Sequence, residues 1–280
     1  MRIRIDYTTT YDYAAPAHSV VQLLRMCPRG GEDQHVKRWR VDVDADGSLR
    51  LGHDAFGNAT HMFTAEAPLR RLALTVTGEV DTIDAAGLVR GFPEPLPPVM
   101  FLRQTALTTP DPALAEFAQG VTGRDLLHRL HALMGAINTG MAFDADATGT
   151  GTDAATAHAQ RRGVCQDYAH IFCTTARLMG VPARYVSGHF VRADGVVLQP
   201  AGHAWVEALV PDLGWVGFDP TNGISVTAAH VRVAVGLDYL DAAPVRGARR
   251  GGGSESLSVA VSAVDLSLRE RQGQSQGQSQ

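Results

Sequence analysis

The chain has 280 residues, 45% of them hydrophobic, which is enough for one large or two modest domains with a real core. Its formal net charge of −4 removes any electrostatic case for a nucleic-acid partner, since such a domain carries a basic face. No run of about 18 apolar residues is present, and the N-terminus alternates polar and apolar instead of forming a signal, so the expectation is a cytoplasmic protein with no membrane partner.

Residues 1–105 read as a β-rich domain. Ile3, Ile5 and Tyr7 share one face of a first strand. Trp39, Val41 and Val43 share a face of another, which ends at the turn Asp44–Gly47. Leu49 and Leu51 alternate, Phe56-Gly57-Asn58 turns the chain into residues 60–63, and Leu72, Leu74 and Val76 alternate again. Short strands divided by turn residues predict a β-sandwich-like domain. Residues 91–98 hold prolines at 93, 95, 97 and 98 and read as a linker.

Helical patterning then opens a second domain, residues 106–245, and makes the class α+β. Asp111-Pro112 supplies an N-cap and a proline at the first helical position, and Gly120 stops that helix. Thr122-x-x-Asp125 reads as a capping box. Behind it Leu126, Leu127, Leu130, Leu133, Met134 and Ile137 form a wide apolar stripe. A short extended piece at 141–144, a loop at 145–152 and a short helix from Asp153 follow.

The stretch Arg161–Cys173 delivers a cysteine to a helix start. Ala169, Phe172, Cys173, Ala176 and Met179 recur at helical spacing after Cys165, and Gly180 with Pro182 ends the helix. The positive end of the macrodipole there favours a thiolate, which is the nucleophilic form of cysteine. Residues 184–191 read as a strand. Strands 203–210 and 215–219 form a hairpin across Pro211–Gly214, so His203 and Asp219 fall at one end of it. Residues 246–270 contain an alternating run, with a change of parity at Ala263, that pairs best with the N-terminal β-region. Residues 271–280 are expected to be a disordered tail.

Acyl transfer by a thiol needs a thiolate, an imidazole within reach and a group that orients the imidazole. Cys165, His203 and Asp219 supply those types. Each alone has a plainer reading: a buried thiol, a satisfied core histidine, a turn aspartate. Gln166, Asp167, His170 and Trp205 are candidates to line a substrate, with capping or packing as the alternatives. Cys27 and Cys173 have no partner groups and read as core thiols. Three cysteines argue against a disulfide framework and fit a reducing compartment. His128 and His131 lack a third ligand, and no paired-cysteine, calcium-loop or phosphate-loop pattern occurs, so no metal or cofactor is expected.

Gly163-Val164-Cys165-Gln166-Asp167-Tyr168-Ala169-His170, Gly202-His203-Ala204-Trp205-Val206-Glu207 and Gly214-Trp215-Val216-Gly217-Phe218-Asp219-Pro220 resemble the three motifs of bacterial transglutaminase-like proteins. The three functional residues stand 38 and 16 apart, in the family's order. Tyr11-x-Tyr13, Leu24-Arg25-x-x-Pro28-Arg29 and Asp54-x-Phe56-Gly57-Asn58 resemble the N-terminal β-region of the same family. The resemblance implies a papain-like catalytic core with Cys165, His203 and Asp219 as a triad. It departs from the family at Gly202, Phe143 and Leu237, where serine, tyrosine and arginine are usual. The implied activity is hydrolysis of peptide or amide bonds through a thioester, with a peptide, protein or amide as partner. A protein-glutamine transglutaminase and a catalytically silent binding protein are the alternatives.

Overall fold

The computed structural model describes residues 1–267. Chain order begins with β1 (Arg2–Cys27), β2 (Gln34–Val43), β3 (Gly47–His53), β4 (Ala59–Ala65), β5 (Leu69–Thr82) and β6 (Leu88–Val89). Next come α1 (Pro112–Gly120), α2 (Leu126–Gly140), β7 (Ala142–Phe143), α3 (Ala154–Gln160), β8 (Arg162–Gly163) and α4 (Cys165–Leu178). The remainder is β9 (Ala183–Phe190), β10 (Leu198–Gln199), β11 (His203–Val210), β12 (Gly214–Asp219), β13 (Ile224–Ser225), β14 (His230–Gly236), α5 (Tyr239–Ala242), β15 (Val245–Gly251) and β16 (Glu255–Asp265).

The N-terminal β-region is one hydrogen-bonded sheet of eight strands, organised on the 26-residue β1. The first half of β1 pairs with β5 and β16, and the second half with β4 and β15. The register breaks between Asp12 and Ala17, where Pro16 lies, so one strand serves both halves. The sandwich-like expectation is refined accordingly: the two halves share β1. Leu49 and Leu51 do form a strand, but β3 is a sheet edge and both side chains are exposed. The β1–β16 ladder runs from Ile3–Asp265 to Tyr13–Glu255 without a register shift. The parity change at Ala263 is therefore absent: Val261, Ala263 and Asp265 all face inward. Leu268 and the expected tail 271–280 lie outside the described residues.

The second region is α+β, with helices packed on an antiparallel sheet. Its sheet runs β13-β12-β11-β9-β14. Helix α4 is buried along Gln166–Arg177. It packs on β9 and β11 on one side and on α1, α2 and α3 on the other. A helix enclosed this way has no polar face to solvent, and its hydroxyls turn inward. Thr174 and Thr175 donate to the carbonyls of His170 and Ile171, each at 2.8 Å. Asp125, not Thr122, caps α2, accepting from His128 N at 2.8 Å. The carboxylate directly before the first helical residue holds the better capping position.

Residues 91–98 are more than a linker. Phe92 joins Val89, Phe101, Trp215 and Leu237 in a buried cluster, and Glu94 binds Arg184 at 2.6 Å. Leu237 thus fills an apolar site where the family usually has arginine. Its carbonyl accepts from Arg177 Nη2 at 2.6 Å.

Two amide side chains of the N-terminal region grip β14. Asn58 donates to Val235 O at 2.7 Å and accepts from Val235 N at 2.8 Å. Gln34 does the same with Arg232, at 2.9 and 2.8 Å. Asp54 aims Asn58 by accepting from its amide at 2.9 Å and from Arg25 at 2.7 Å. The N-terminal motifs therefore build a clamp on the second region's sheet. No helix among the described residues is long and apolar enough to cross a membrane.

Candidate active site

Cys165 is the first residue of α4, preceded by extended Val164, and its side chain is partly exposed. Asp167 holds this start. Its Oδ2 accepts from Val164 N at 2.8 Å and from Thr148 Oγ1 at 2.6 Å. A carboxylate three residues into the helix takes up an amide that would otherwise be unpaired. Gly163 is required beside it, because a Cβ there would stand 2.3 Å from Asp167 Oδ2. Burial raises the Asp167 carboxyl, against the opposing pull of those two hydrogen bonds.

His203 opens β11 and Asp219 closes β12, and the antiparallel register brings both to one end of the hairpin, with His203 two residues beyond the position opposite Asp219. His203 Nε2 lies 2.7 Å from Asp219 Oδ2. The Cys165 sulfur is near enough to the same imidazole to favour its charged form. With Nε2 committed to the carboxylate, Nδ1 is the nitrogen left for the sulfur. Burial alone would lower the His203 pKa, but the Asp219 charge, its hydrogen bond and the Cys165 sulfur outweigh it and push the ring to about 10. Burial would raise Asp219. The two histidines reverse that and hold it well below the usual carboxylate range.

Asp219 is saturated with donors. Besides His203, Oδ2 accepts from Asn222 Nδ2 at 2.6 Å and from His230 Nε2 at 3.2 Å. Oδ1 accepts from the backbone N–H of Thr221 at 3.1 Å and of Asn222 at 3.2 Å. Asn138, on α2, anchors that turn by donating to Pro220 O and Thr221 O. His230, Asn222 and Asn138 complete the arrangement. Asn222 lies beside the aspartate in sequence. The other two carry no sequence signal, since they arrive from separate elements.

The remaining sequence candidates are placed as follows. Gln166 is buried at the helix start, with its amide donating to Thr150 O at 3.3 Å. His170 is fully buried, accepts from Tyr239 N at 3.1 Å and is lowered by burial to about 4, so it is a neutral core ring turned away from solvent. Trp205 is 1% exposed and packs beneath His203 and edge-on to His230. Asp167, His170 and Trp205 therefore support the site from within and offer no surface to a substrate. Cys173 and Cys27 are both raised by burial to about 11, which removes them from thiolate chemistry near neutrality.

His203, Asp219 and His230 have ligand atoms within 4.8 Å of one another, a spacing a metal ion could use. The protons argue otherwise. Thr227 N donates to His230 Nδ1 at 3.1 Å, so Nδ1 carries the lone pair and Nε2 the hydrogen. A ring in that tautomer donates to Asp219 and has no lone pair to offer a metal at Nε2.

Residues 115–220 match the transglutaminase-like superfamily, and residues 3–81 match the bacterial transglutaminase-like N-terminal region. An uncharacterised protein of Mycobacterium leprae is 30% identical over 285 residues, covering 95% of this chain and 99% of the relative. A protein-glutamine gamma-glutamyltransferase of Pseudomonas aeruginosa is 36% identical over 88 residues, 28% of this chain and 12% of that protein. The crystal structure of a "Putative Cysteine Protease" from Cytophaga hutchinsonii shares the fold, with a TM-score of 0.76 at 21% identity over 95% of this chain and 91% of that one. The chain belongs to the transglutaminase-like superfamily, with the bacterial transglutaminase-like N-terminal region joined to its core.

Proposed function

We propose that the protein is a thiol-dependent acyl-transfer enzyme that hydrolyses peptide or amide bonds, with Cys165 as nucleophile, His203 as proton carrier and Asp219 as the group that orients it. The observation that carries this reading is the His203 ring bound to the Asp219 carboxylate at 2.7 Å and raised by the nearby Cys165 sulfur. An imidazole pushed to about 10 stays protonated at neutral pH, and the thiolate form of Cys165 is the nucleophile. The thiolate attacks the carbonyl carbon, and the tetrahedral oxyanion forms at the positive end of α4. His203 gives its proton to the departing amine, the C–N bond breaks and a thioester remains. Water then attacks the thioester as His203 takes its proton. Return of that proton to the leaving sulfur, followed by its transfer back to the ring, restores the ion pair.

The second reading replaces that water with an amine, which makes the protein a protein-glutamine transglutaminase. The 88-residue similarity to the Pseudomonas aeruginosa enzyme favours it. Both readings share one thioester, so one experiment separates them. Peptide and glutamine-amide substrates are incubated with and without a primary amine, and products are read by mass. Free acid formed in excess over amide product supports hydrolysis. Amine incorporation that displaces hydrolysis supports transfer. Iodoacetamide labelling of Cys165 with no turnover of any substrate points to the silent binding protein.

A further inference from the structure

His230 is a buried histidine outside the three sequence motifs, yet it shares one carboxylate oxygen with His203. Both rings direct Nε2 at Asp219 Oδ2, at 2.7 and 3.2 Å. His230 is enclosed by Phe190, 4.6 Å away between ring centroids, and by the edge-on indole of Trp205 at 5.3 Å. Its tautomer is locked from behind, because the backbone N–H of Thr227 occupies Nδ1. A second proton on that ring would face this N–H directly, so His230 is a neutral donor. The ionisable groups that face it are Asp219 from β12 and His203 from β11, with Asp33, Glu207 and Arg232 lining the small cavity behind it. Burial disfavours a charge on His230 and outweighs the pull of Asp219, and the charge on His203 adds to that effect.

We propose that His230 is a positioning residue that draws on the Asp219 carboxylate and so limits how tightly Asp219 holds the proton of His203. A carboxylate oxygen that accepts a hydrogen bond from a neutral donor has less charge to offer its other partner. His203 must give its proton to the leaving group, and an imidazolium bound too tightly is a poor acid. The His230 donor keeps Asp219 ionised and in place while moderating its pull. It also gives the N-terminal region a route to the site, since β14 carries both His230 and the backbone groups gripped by Gln34 and Asn58.

The inference rests on the acyl-transfer reading of the site, but its test does not depend on turnover. The protein is labelled with ¹⁵N-histidine, His203 is assigned with a His203→Asn variant and His230 with a His230→Gln variant, and both rings are followed by NMR across pH. In the wild type His230 should show the Nε2–H neutral tautomer throughout the range in which His203 is an imidazolium. His230→Phe should raise the His203 midpoint by roughly half to one pH unit, and His230→Gln, which retains an N–H donor, should return it close to wild type. If a substrate is turned over, kcat in His230→Phe should fall about 3–10-fold with KM unchanged. An unmoved midpoint in folded His230→Phe overturns the proposal, as does an equal shift in His230→Gln. Should His230→Phe fail to fold, the wild-type spectrum decides: a His230 ring that carries Nδ1–H, or titrates together with His203, overturns it. A failed substrate screen with the expected NMR shifts would overturn the enzyme reading and leave the proton network standing.

Discussion

Asn58 pairs with the backbone of Val235 as a neighbouring strand would, 177 residues away in sequence, donating to its carbonyl and accepting from its amide. Gln34 repeats the device at Arg232. Together they satisfy polar groups on the outer edge of β14, which would otherwise be left unpaired under the N-terminal sheet. The N-terminal region is thus built into the core's sheet, on the strand that carries His230.

Asn58→Ala should therefore destabilise the protein by about 2–4 kcal/mol, because it strands a buried N–H and a buried carbonyl at once. Urea denaturation would measure it. Asn58→Asp should be no better, since its carboxylate cannot donate to Val235 O. A variant within about 0.5 kcal/mol of wild type would mean that water replaces the amide and that the clamp carries little.

Iodoacetamide at neutral pH should label Cys165 alone and abolish turnover. Cys27 and Cys173 are held protonated by burial, each at about 11. Cys165→Ala should be folded and inactive, while Cys27→Ser and Cys173→Ser keep their turnover apart from stability losses. Peptide mapping of the alkylated protein checks the selectivity, and activity remaining in Cys165→Ala would end the nucleophile assignment.

The His203–Asp219 pair has a defined pH signature. His203 is raised from 6.5 to about 10, so the folded protein binds more protons than the unfolded chain between those values. Stability from this group is complete below pH 6.5 and is lost as pH rises through about 10. Asp219 is depressed, so its contribution is present above pH 3.8 and is lost as pH falls below it. Thermal midpoints should thus decline from pH 7 to pH 10 in the wild type and decline less in His203→Ala. Turnover should hold into the alkaline range and fall near pH 10, where the imidazolium is lost. An alkaline limb near pH 7 would show that Asp219 does not raise His203.

The pair was legible in the sequence for a local reason: a four-residue turn fixes which ends of two strands meet, and His203 and Asp219 sit at those ends. Cys165 was legible from the glycine before it and the helical period after it. His230 was not legible. It lies on β14, three strand positions from β12 in the sheet, which is about 14 Å in a flat sheet. Its ring nonetheless reaches Asp219 at 3.2 Å. A contact between strands that far apart in the sheet depends on the whole assembly and leaves no mark on a six-residue window. The change of parity near Ala263 misled for the opposite reason. Val264 is apolar but faces outward in an unbroken ladder, and Asp265 faces inward, so the apolar pattern and the backbone register part company there.

Asp219→Asn gives the sharpest test of how the three residues divide their work. The thiol is more acidic than a serine hydroxyl and needs its base less, which puts the expected loss at roughly 10–10³-fold. The structure places it at the upper end. Oδ2 accepts from His203, His230 and Asn222, and Oδ1 from two backbone amides. An asparagine retains one acceptor oxygen, so whichever way its amide turns, its NH₂ faces at least two N–H donors. The variant should therefore also lose thermal stability, which a purely electrostatic role would not require. His203→Ala should cost more, because it removes the proton carrier itself. Asp219 acts through His203, so the double variant should be no slower than His203→Ala alone. Rates for the two single variants and the double, measured on one substrate, decide it. Losses that multiply in full would mean that Asp219 contributes independently of His203, and Asn222, beside the His203 ring, would then be the residue to test as its orienting partner.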